Sequence, residues 1–210
     1  MVQKFLGGSS VFVLLAAVSA FVILNGWTAL SPSAGAVVNV TATVASSVTC
    51  ATDVSSTAFG TLTAGSVTTA ASNASSTLSC NVGIGCTLSV LDAGNASNGG
   101  LATTTPAYLI PSPNAAFDPF AVLVAGTEGY GINATTTTGG SGGTLAIYSR
   151  YENTNDNEKA GKLQVTAFGL ASSTASVSNR QLIVKHKAAI SGTTQAAAYE
   201  DVITYSCTSN

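Results

Sequence analysis

Charged side chains are scarce in this chain. They make up 8% of its 210 residues, whereas an ordinary soluble domain has about 25%. No lysine or arginine occurs between Lys4 and Arg150, so no basic stripe is available for a phosphate backbone, and we expect no binding to nucleic acid. The polar surface must instead come from serine, threonine, asparagine and glutamine, which is more typical of an exported protein than of a cytosolic enzyme.

The groups that most enzymes use for catalysis are also few. His186 is the only histidine. It lies between Lys185 and Lys187 with no identifiable partner, so we expect a partly exposed strand residue rather than a general base. The glycine-rich stretch GGSGG, residues 139–143, lacks the G-K-[ST] of a phosphate-binding loop and is typical of a flexible turn. We therefore predict that the protein is not an enzyme and binds no cofactor.

Cysteine is limited to four residues, and none of them forms a C-x-x-C pair. This spacing disfavours a zinc site, and in an exported chain four cysteines indicate two disulfides. Cys80 and Cys86 bracket the short turn-like segment NVGIG, where a bridge would remove less unfolded-state entropy than one that closes a long loop. Three connectivities are open, and we favour Cys50–Cys80 with Cys86–Cys207.

The N-terminus has the pattern of an export signal. Lys4 precedes the apolar stretch of residues 11–24, and Ala34 and Ala36 occupy the −3 and −1 positions of an A-x-A cleavage site. This pattern predicts a signal peptide over residues 1–36. The alternative is a retained hydrophobic N-terminal helix, because this uncharged region is long enough to span a bilayer. We expect contact with a membrane only through this leader.

The segment that follows the leader has the alternation of a half-buried strand. In VVNVTATV, residues 37–44, one side is apolar and the other carries Asn39, Thr41 and Thr43. The apolar set consists of Val38, Val40, Ala42 and Val44. A strand at a chain end can join its own sheet or add to the edge of a neighbouring sheet, and both readings of residues 37–49 are open.

Short strand-like runs recur along residues 37–210, separated by turn signals rich in glycine, asparagine and proline. About ten short strands without helical periodicity predict one all-β domain, a β-sandwich of the immunoglobulin-like or jelly-roll-like kind. In the last run, DVITYSC, we expect Ile203, Tyr205 and Cys207 to face the core. The other predicted strands are 58–63, 76–82, 86–94, 107–111, 120–126, 129–137, 145–152, 162–170 and 180–190.

Cys50, the pair Phe59-Gly60 and Cys80 occur in the arrangement C…AFGTLTAG…STLSC. This arrangement resembles the opening of pilin-like β-sandwich proteins, including spore-coat-U-type proteins and chaperone–usher fimbrial subunits. In those families the second cysteine often pairs with the first. The resemblance therefore implies a bridge between Cys50 and Cys80.

The end of the chain, with Tyr199, Asp201 and the alternating residues 202–207, similarly resembles the last hairpin of bacterial surface sandwich proteins. In pilin-like fibres an N-terminal strand leaves its own subunit and fills a groove in the next one. Such a head-to-tail contact does not close, so it builds a filament. The resemblance therefore implies a homo-oligomer whose subunits are joined through the apolar set of the opening strand.

We accordingly expect a structural subunit of an extracellular, pilus-like surface fibre that assembles by N-terminal strand addition. Two alternatives use the same sequence features. One is a monomeric or membrane-anchored cell-surface protein or adhesin. The other is a type IV pilin-like subunit held by its N-terminal hydrophobic helix, although the acidic residue usual near the start of such helices is missing.

Two groups of polar residues are candidate binding or modification sites. The segment ENTNDNE is dense in oxygen donors that suit Ca²⁺, although a solvated hairpin loop is the favoured reading. Its candidate ligands are Glu152, Asn155, Asp156, Asn157 and Glu158. Four N-x-[ST] sequons mark candidate glycosylation sites. They lie at Asn39, Asn73, Asn95 and Asn133.

Overall fold

The computed structural model describes residues 37–113, 120–153 and 158–210, and over these residues the chain is all-β, as predicted. Residues 44–210 form one compact unit. Besides its strands, the described chain has one 3₁₀ turn at Ser149–Tyr151. The strands are β1 (Val48–Thr52), β2 (Thr68–Thr69), β3 (Ala74–Cys80), β4 (Cys86–Asp92), β5 (Gly100–Thr104), β6 (Ala107–Pro111), β7 (Ala121–Val122), β8 (Gly129–Thr136), β9 (Ser141–Gly142), β10 (Ala146–Ile147), β11 (Lys159–Ala160), β12 (Phe168–Ser173), β13 (Val177–Ala189) and β14 (Ile203–Ser209).

Two larger antiparallel sheets contain most of the described strands. In the first sheet β1, β3, β13 and β2 follow one another, and β8 and β9 also pair with β13. The second sheet has the order β10, β12, β4 and β14. β5 also pairs with β6, and β7 with β11, in two-stranded sheets. Because β3 and β4 belong to different sheets, the chain crosses from one sheet to the other directly after β3.

Strand β13 is the centre of the first sheet because it is hydrogen-bonded on both sides. Its alternating sequence buries Leu182, Val184 and Ala188, as a period of two requires. Pairing with β3 runs from Val177 to Val184. Pairing with β8 runs from Leu182 to Ala189. A single long strand therefore organises the whole first sheet.

Both large sheets contribute to one hydrophobic core. Leu78 of the first sheet and Leu88 of the second are fully buried members of the same cluster. Ile203, Tyr205 and Cys207 of β14 pack against this cluster, as predicted. Side-chain alternation was therefore a valid guide to the inward face of the last strand.

The predicted strand at residues 58–63 is wrong. This stretch is irregular, and Phe59 and Leu62 pack against the core from it. The ring of Phe59 meets that of Tyr130 edge-on, with the centroids 6.1 Å apart. The predicted strand at residues 145–152 is also divided, between the short β10 and the 3₁₀ turn. At residues 58–63 apolar side chains therefore lie inside without the backbone pairing that defines a strand.

The disulfides join Cys50 to Cys207 and Cys80 to Cys86, so our favoured pairings are wrong. Antiparallel pairing of β1 with β3 places Val48, not Cys50, opposite Cys80. Cys80 ends β3 and Cys86 begins β4, and the crossing between the sheets brings their Cα atoms to 6.4 Å. This distance lies within the range that a disulfide spans.

The bridge between Cys50 and Cys207 joins two edge strands. Among the described residues, β1 pairs only with β3, and β14 pairs only with β4. The two Cα atoms are 6.0 Å apart and 157 positions apart in sequence, against 6 positions for the other bridge. The longer closure restricts the unfolded chain far more.

We predict that the Cys50–Cys207 bridge contributes more to the free energy of unfolding than the Cys80–Cys86 bridge. In the chain-entropy account the long closure is worth about 5 kcal/mol and the short one about 2 kcal/mol. Each bridge is measured alone, by denaturant unfolding with and without reductant, in the double variants C80A/C86A and C50A/C207A. Each variant is compared with its own reduced form, so the effect of the cysteine-to-alanine substitutions on the free energy of unfolding cancels. An equal or larger contribution from the short bridge would contradict this connectivity.

Candidate functional site

Residues 37–47 form no strand in the structure, although their sequence alternates as a strand does. The side chains of Val38, Val40 and Val44 are 80%, 89% and 83% exposed, and Ala42 is exposed as well. The apolar set that we predicted for a subunit interface therefore lies on the surface of this chain.

The first strand begins at Val48, which moves the boundary of the candidate donor strand. Val48 and Thr49 pair with Cys80 and Ser79 of β3. The last two residues of the range 37–49 thus belong to a sheet of their own chain, and including them in the donor was wrong. The candidate donor is reduced to residues 37–47, which we name the N-terminal segment.

Asn81 holds the chain where the N-terminal segment meets β1. Its side-chain amide donates to the Ala45 carbonyl oxygen at 2.8 Å, and its side-chain oxygen accepts from the Ser47 N–H at 2.8 Å. The Asn81 N–H donates to the Ser47 carbonyl oxygen at 3.2 Å. Because Asn81 directly follows β3, these bonds extend the pairing of β1 with β3. They set the direction of the chain at residues 45–47.

The inward faces of β1 and β14 are incompletely covered. Leu78 and Leu88, on the neighbouring strands β3 and β4, are fully buried, whereas the inward side chains of the two edge strands are only half-buried. We name these half-buried side chains the edge seam. They are Val48, Cys50, Ile203, Tyr205 and Cys207. Apolar surface therefore stays accessible where the edges of the two sheets meet.

A buried acidic pair was missed by the sequence analysis. Asp92 ends β4 with a fully buried side chain, and the carboxyl of Asp201 lies close enough to raise its pKa. Asp201 accepts from the Tyr130 hydroxyl at 2.9 Å and from the Gly94 N–H at 3.2 Å. Asp92 accepts from the Gly100 N–H at 2.9 Å. The signal was available, because Asp92 has the same parity as the apolar inward residues of β4.

Burial shifts the pKa of the carboxyl group and the pKa of the histidine in this region in opposite directions. Burial, then the hydrogen bond and charge of Asp201, raises the pKa of Asp92 from 3.8 to about 8. Burial lowers the pKa of His186 below its usual 6.5, although the charge of Asp201 opposes this. His186 is 6% exposed, so our expectation of a partly exposed residue is wrong. A histidine enclosed in this way is out of reach of a substrate in solution.

The calcium candidates are only partly described by the structure. Residues 155–157 lie outside the described residues. The Glu158 carboxylate lies 3.9 Å from Lys187 Nζ, and the Glu152 N–H donates to the Ser149 carbonyl oxygen at 3.3 Å. Within the described chain no three histidine, cysteine, aspartate or glutamate side chains are grouped to hold a metal ion.

The four sequons differ in accessibility. Asn39, Asn73 and Asn95 are exposed, whereas Asn133 is 1% exposed and its side-chain amide donates to the Lys159 carbonyl oxygen at 2.8 Å. A glycan could not be attached to Asn133 once the domain has folded, because the side chain would have to leave the interior.

No protein-family model, curated protein or solved structure matches this chain. In residues 37–113, 120–153 and 158–210 no helix has the length and hydropathy needed to cross a membrane. The function therefore has to be inferred from the residues of the chain itself.

We predict that Asn81→Ala releases the chain at residues 45–47 without unfolding the domain. The variant loses two side-chain hydrogen bonds at the surface, which costs about 1 kcal/mol. Hydrogen exchange should become faster at the Ser47 amide, because its acceptor is removed, while the amides of β4 serve as the internal control. Unchanged exchange at Ser47 would show that Asn81 does not hold this point.

Proposed function

We propose that this chain is the structural subunit of an extracellular filament, a β-sandwich whose N-terminal segment adds as a strand to the next subunit. The observation that carries the proposal is the exposure of Val38, Val40, Ala42 and Val44 in a segment with strand alternation. An exposed apolar row with a period of two is suited to a groove beside another sheet, where backbone hydrogen bonds supply affinity and alternate side chains supply specificity.

The edge seam of a second copy is the acceptor that we propose for this segment. Because β14 pairs only with β4 among the described residues, its other side has backbone donors and acceptors available to a new strand. The half-buried side chains of the seam give the apolar set a surface to cover. Burial of this surface is the driving force, at roughly 25 cal/mol for each Å² removed from water.

Residues 37–44 of the N-terminal segment and strand β14 are similar in length, and neither carries a charge. Strand β14 has seven residues, or about 23 Å at 3.3 Å per residue, and residues 37–44 span about 26 Å when extended. Neither the N-terminal segment nor β14 contains a charged residue, so assembly would bury no unpaired charge. Valine and alanine are also small enough for a seam that side chains already half fill.

The disulfides support an oxidising compartment and a durable subunit. Proteins with two disulfides are typical of environments outside the cytoplasm. The Cys50–Cys207 bridge holds the two edge strands together without using their backbone hydrogen-bonding groups. A head-to-tail contact through such an edge leaves a free N-terminal segment at one end of every assembly and a free edge seam at the other. Growth therefore continues as a filament.

We predict that Val40→Lys prevents filament formation, whereas the matched control Thr41→Lys permits it. Both positions are exposed in the chain, so neither lysine should affect the folding of the monomer. Only the lysine at position 40 would place a charge among the apolar side chains of the seam. Negative-stain microscopy and sedimentation compare the two variants. Equal effects of the two lysines, or unfolding of the Val40→Lys monomer, would contradict strand addition through the apolar set.

We predict that deletion of residues 37–46 leaves a folded, soluble monomer that binds a peptide of residues 37–47. Hydrogen exchange with and without the peptide identifies the acceptor, because a new strand slows exchange at the strands that it joins. We expect protection at β1 and β14, and none from a control peptide that carries lysine in place of Val40. Protection at another edge would refute the seam as acceptor, and an aggregating deletion variant would show that the segment belongs to its own core.

A further inference from the structure

The contact between Asp92 and Asp201 leaves one buried oxygen atom without a hydrogen-bond donor. Asp92 Oδ2 accepts from the Gly100 N–H at 2.9 Å, whereas no donor among the described residues has hydrogen-bond geometry toward the buried Asp92 Oδ1. The Gly94 N–H, which donates to Asp201, also lowers the pKa of Asp92 but does not offset the rise. The neighbouring group is the carboxyl of Asp201. Two ionised carboxylates in such contact would have no hydrogen between them and would repel, most strongly where water is excluded.

Asp201 already has donors of its own. Its Oδ2 accepts from the Tyr130 hydroxyl at 2.9 Å, and its Oδ1 accepts from the Gly94 N–H at 3.2 Å. A carboxyl oxygen that accepts one hydrogen bond can accept another, and a protonated carboxyl can donate one. A proton on the Asp92 carboxyl would therefore let the two carboxyl groups be hydrogen-bonded instead of repelling.

Among the described residues, three tyrosines and one histidine interact electrostatically with the pair. Tyr130 on β8, Tyr205 on β14 and Tyr151 in the 3₁₀ turn interact with the pair electrostatically, and burial raises the pKa of each, so all three stay neutral. His186 on β13 is neutral because burial lowers its pKa. None of these four neutral groups offsets a double negative charge on the pair, whereas a shared proton would remove it.

The pair connects several elements at the start of β14. Gly94 and Gly100, whose N–H groups bind the two carboxyls, are at the two ends of the turn between β4 and β5. Tyr130 belongs to the first sheet, whereas β4 and β14 belong to the second. Just before Asp201, Glu200 exchanges two backbone hydrogen bonds with Ala102, at 2.8 and 3.0 Å.

We propose that Asp92 and Asp201 share one buried proton that latches the start of β14 to the β4–β5 turn and to β8, and that release of this proton as the pH rises loosens this end of the domain. The latch is a property of the single folded chain. It stands or falls independently of filament assembly.

The direction of the pH dependence follows from the protons bound in each state. The pKa of Asp92 is about 8 in the folded chain, against an ordinary 3.8. Between these values the folded state holds a proton that the unfolded state has released, so the folding equilibrium constant falls by up to about tenfold for each pH unit. His186 acts in the opposite sense, but its effect above pH 6.5 is at most about twofold, because the imidazole of the unfolded chain is already half neutral at that pH. Asp92 therefore dominates the range from pH 6.5 to 8.5.

The test is denaturant unfolding of the wild type, Asp92→Asn and Asp53→Asn from pH 6.5 to 8.5. The wild type should lose about 20-fold in its folding equilibrium constant over this range. Asp92→Asn should be nearly flat, because the amide can still donate to Asp201 but cannot ionise. Asp53→Asn should keep the wild-type slope, since Asp53 accepts from the Ser75 N–H at 2.7 Å in another part of the fold.

A wild-type stability that is flat or rises over this range would overturn the proposal, as would a wild-type slope retained in Asp92→Asn. A second measurement needs no variant, in case Asp92→Asn fails to fold. Carbon NMR of the wild-type side-chain carboxyls follows the titration of Asp92 directly. A midpoint above about pH 6 supports the shared proton, and a midpoint at or below about pH 6 refutes it.

Discussion

The pairing of β13 on both of its sides is the interaction on which the rest of the described structure depends. Four strands, β2, β3, β8 and β9, pair with it directly, and β1 is attached through β3. The inward side chains of β13, including Leu182 and Val184, lie in the core that the second sheet also lines. A strand that is satisfied on both sides has no backbone groups left for another partner. Any strand added from outside must therefore use an edge.

The edges of the two large sheets meet at the edge seam, where a covalent bond takes the place of backbone pairing. The Cys50–Cys207 bridge fixes the separation of β1 and β14 and leaves one side of each strand without a strand partner among the described residues. Proteins normally cover or disrupt such edges, because they invite pairing with other chains. In our account the cover is the N-terminal segment of a neighbour.

Alternation in the sequence carried most of the information that could be predicted. It identified the inward face of β14, and the same parity along β4 places Asp92 in the core. It failed at Phe59, where a side chain enters the core from irregular backbone, and at β5, whose residues Gly100–Thr104 follow a stretch that reads as a turn. Disulfide connectivity was not predictable from spacing, because it depends on which sheet each strand joins. Residues 37–47 likewise have the alternation of a strand but form none. Alternation shows which side chains share a face, but it does not supply the neighbouring strand that backbone pairing needs.

Hydrogen exchange of the wild-type protein across a dilution series tests the central claim most directly, at the amides of residues 38–46. Our account predicts fast exchange in the dilute monomer and slow exchange that appears together with filaments, because the hydrogen-bond partners of these amides belong to another chain. Slow exchange that persists unchanged down to the lowest concentration would contradict it, since the segment would then be paired within its own subunit.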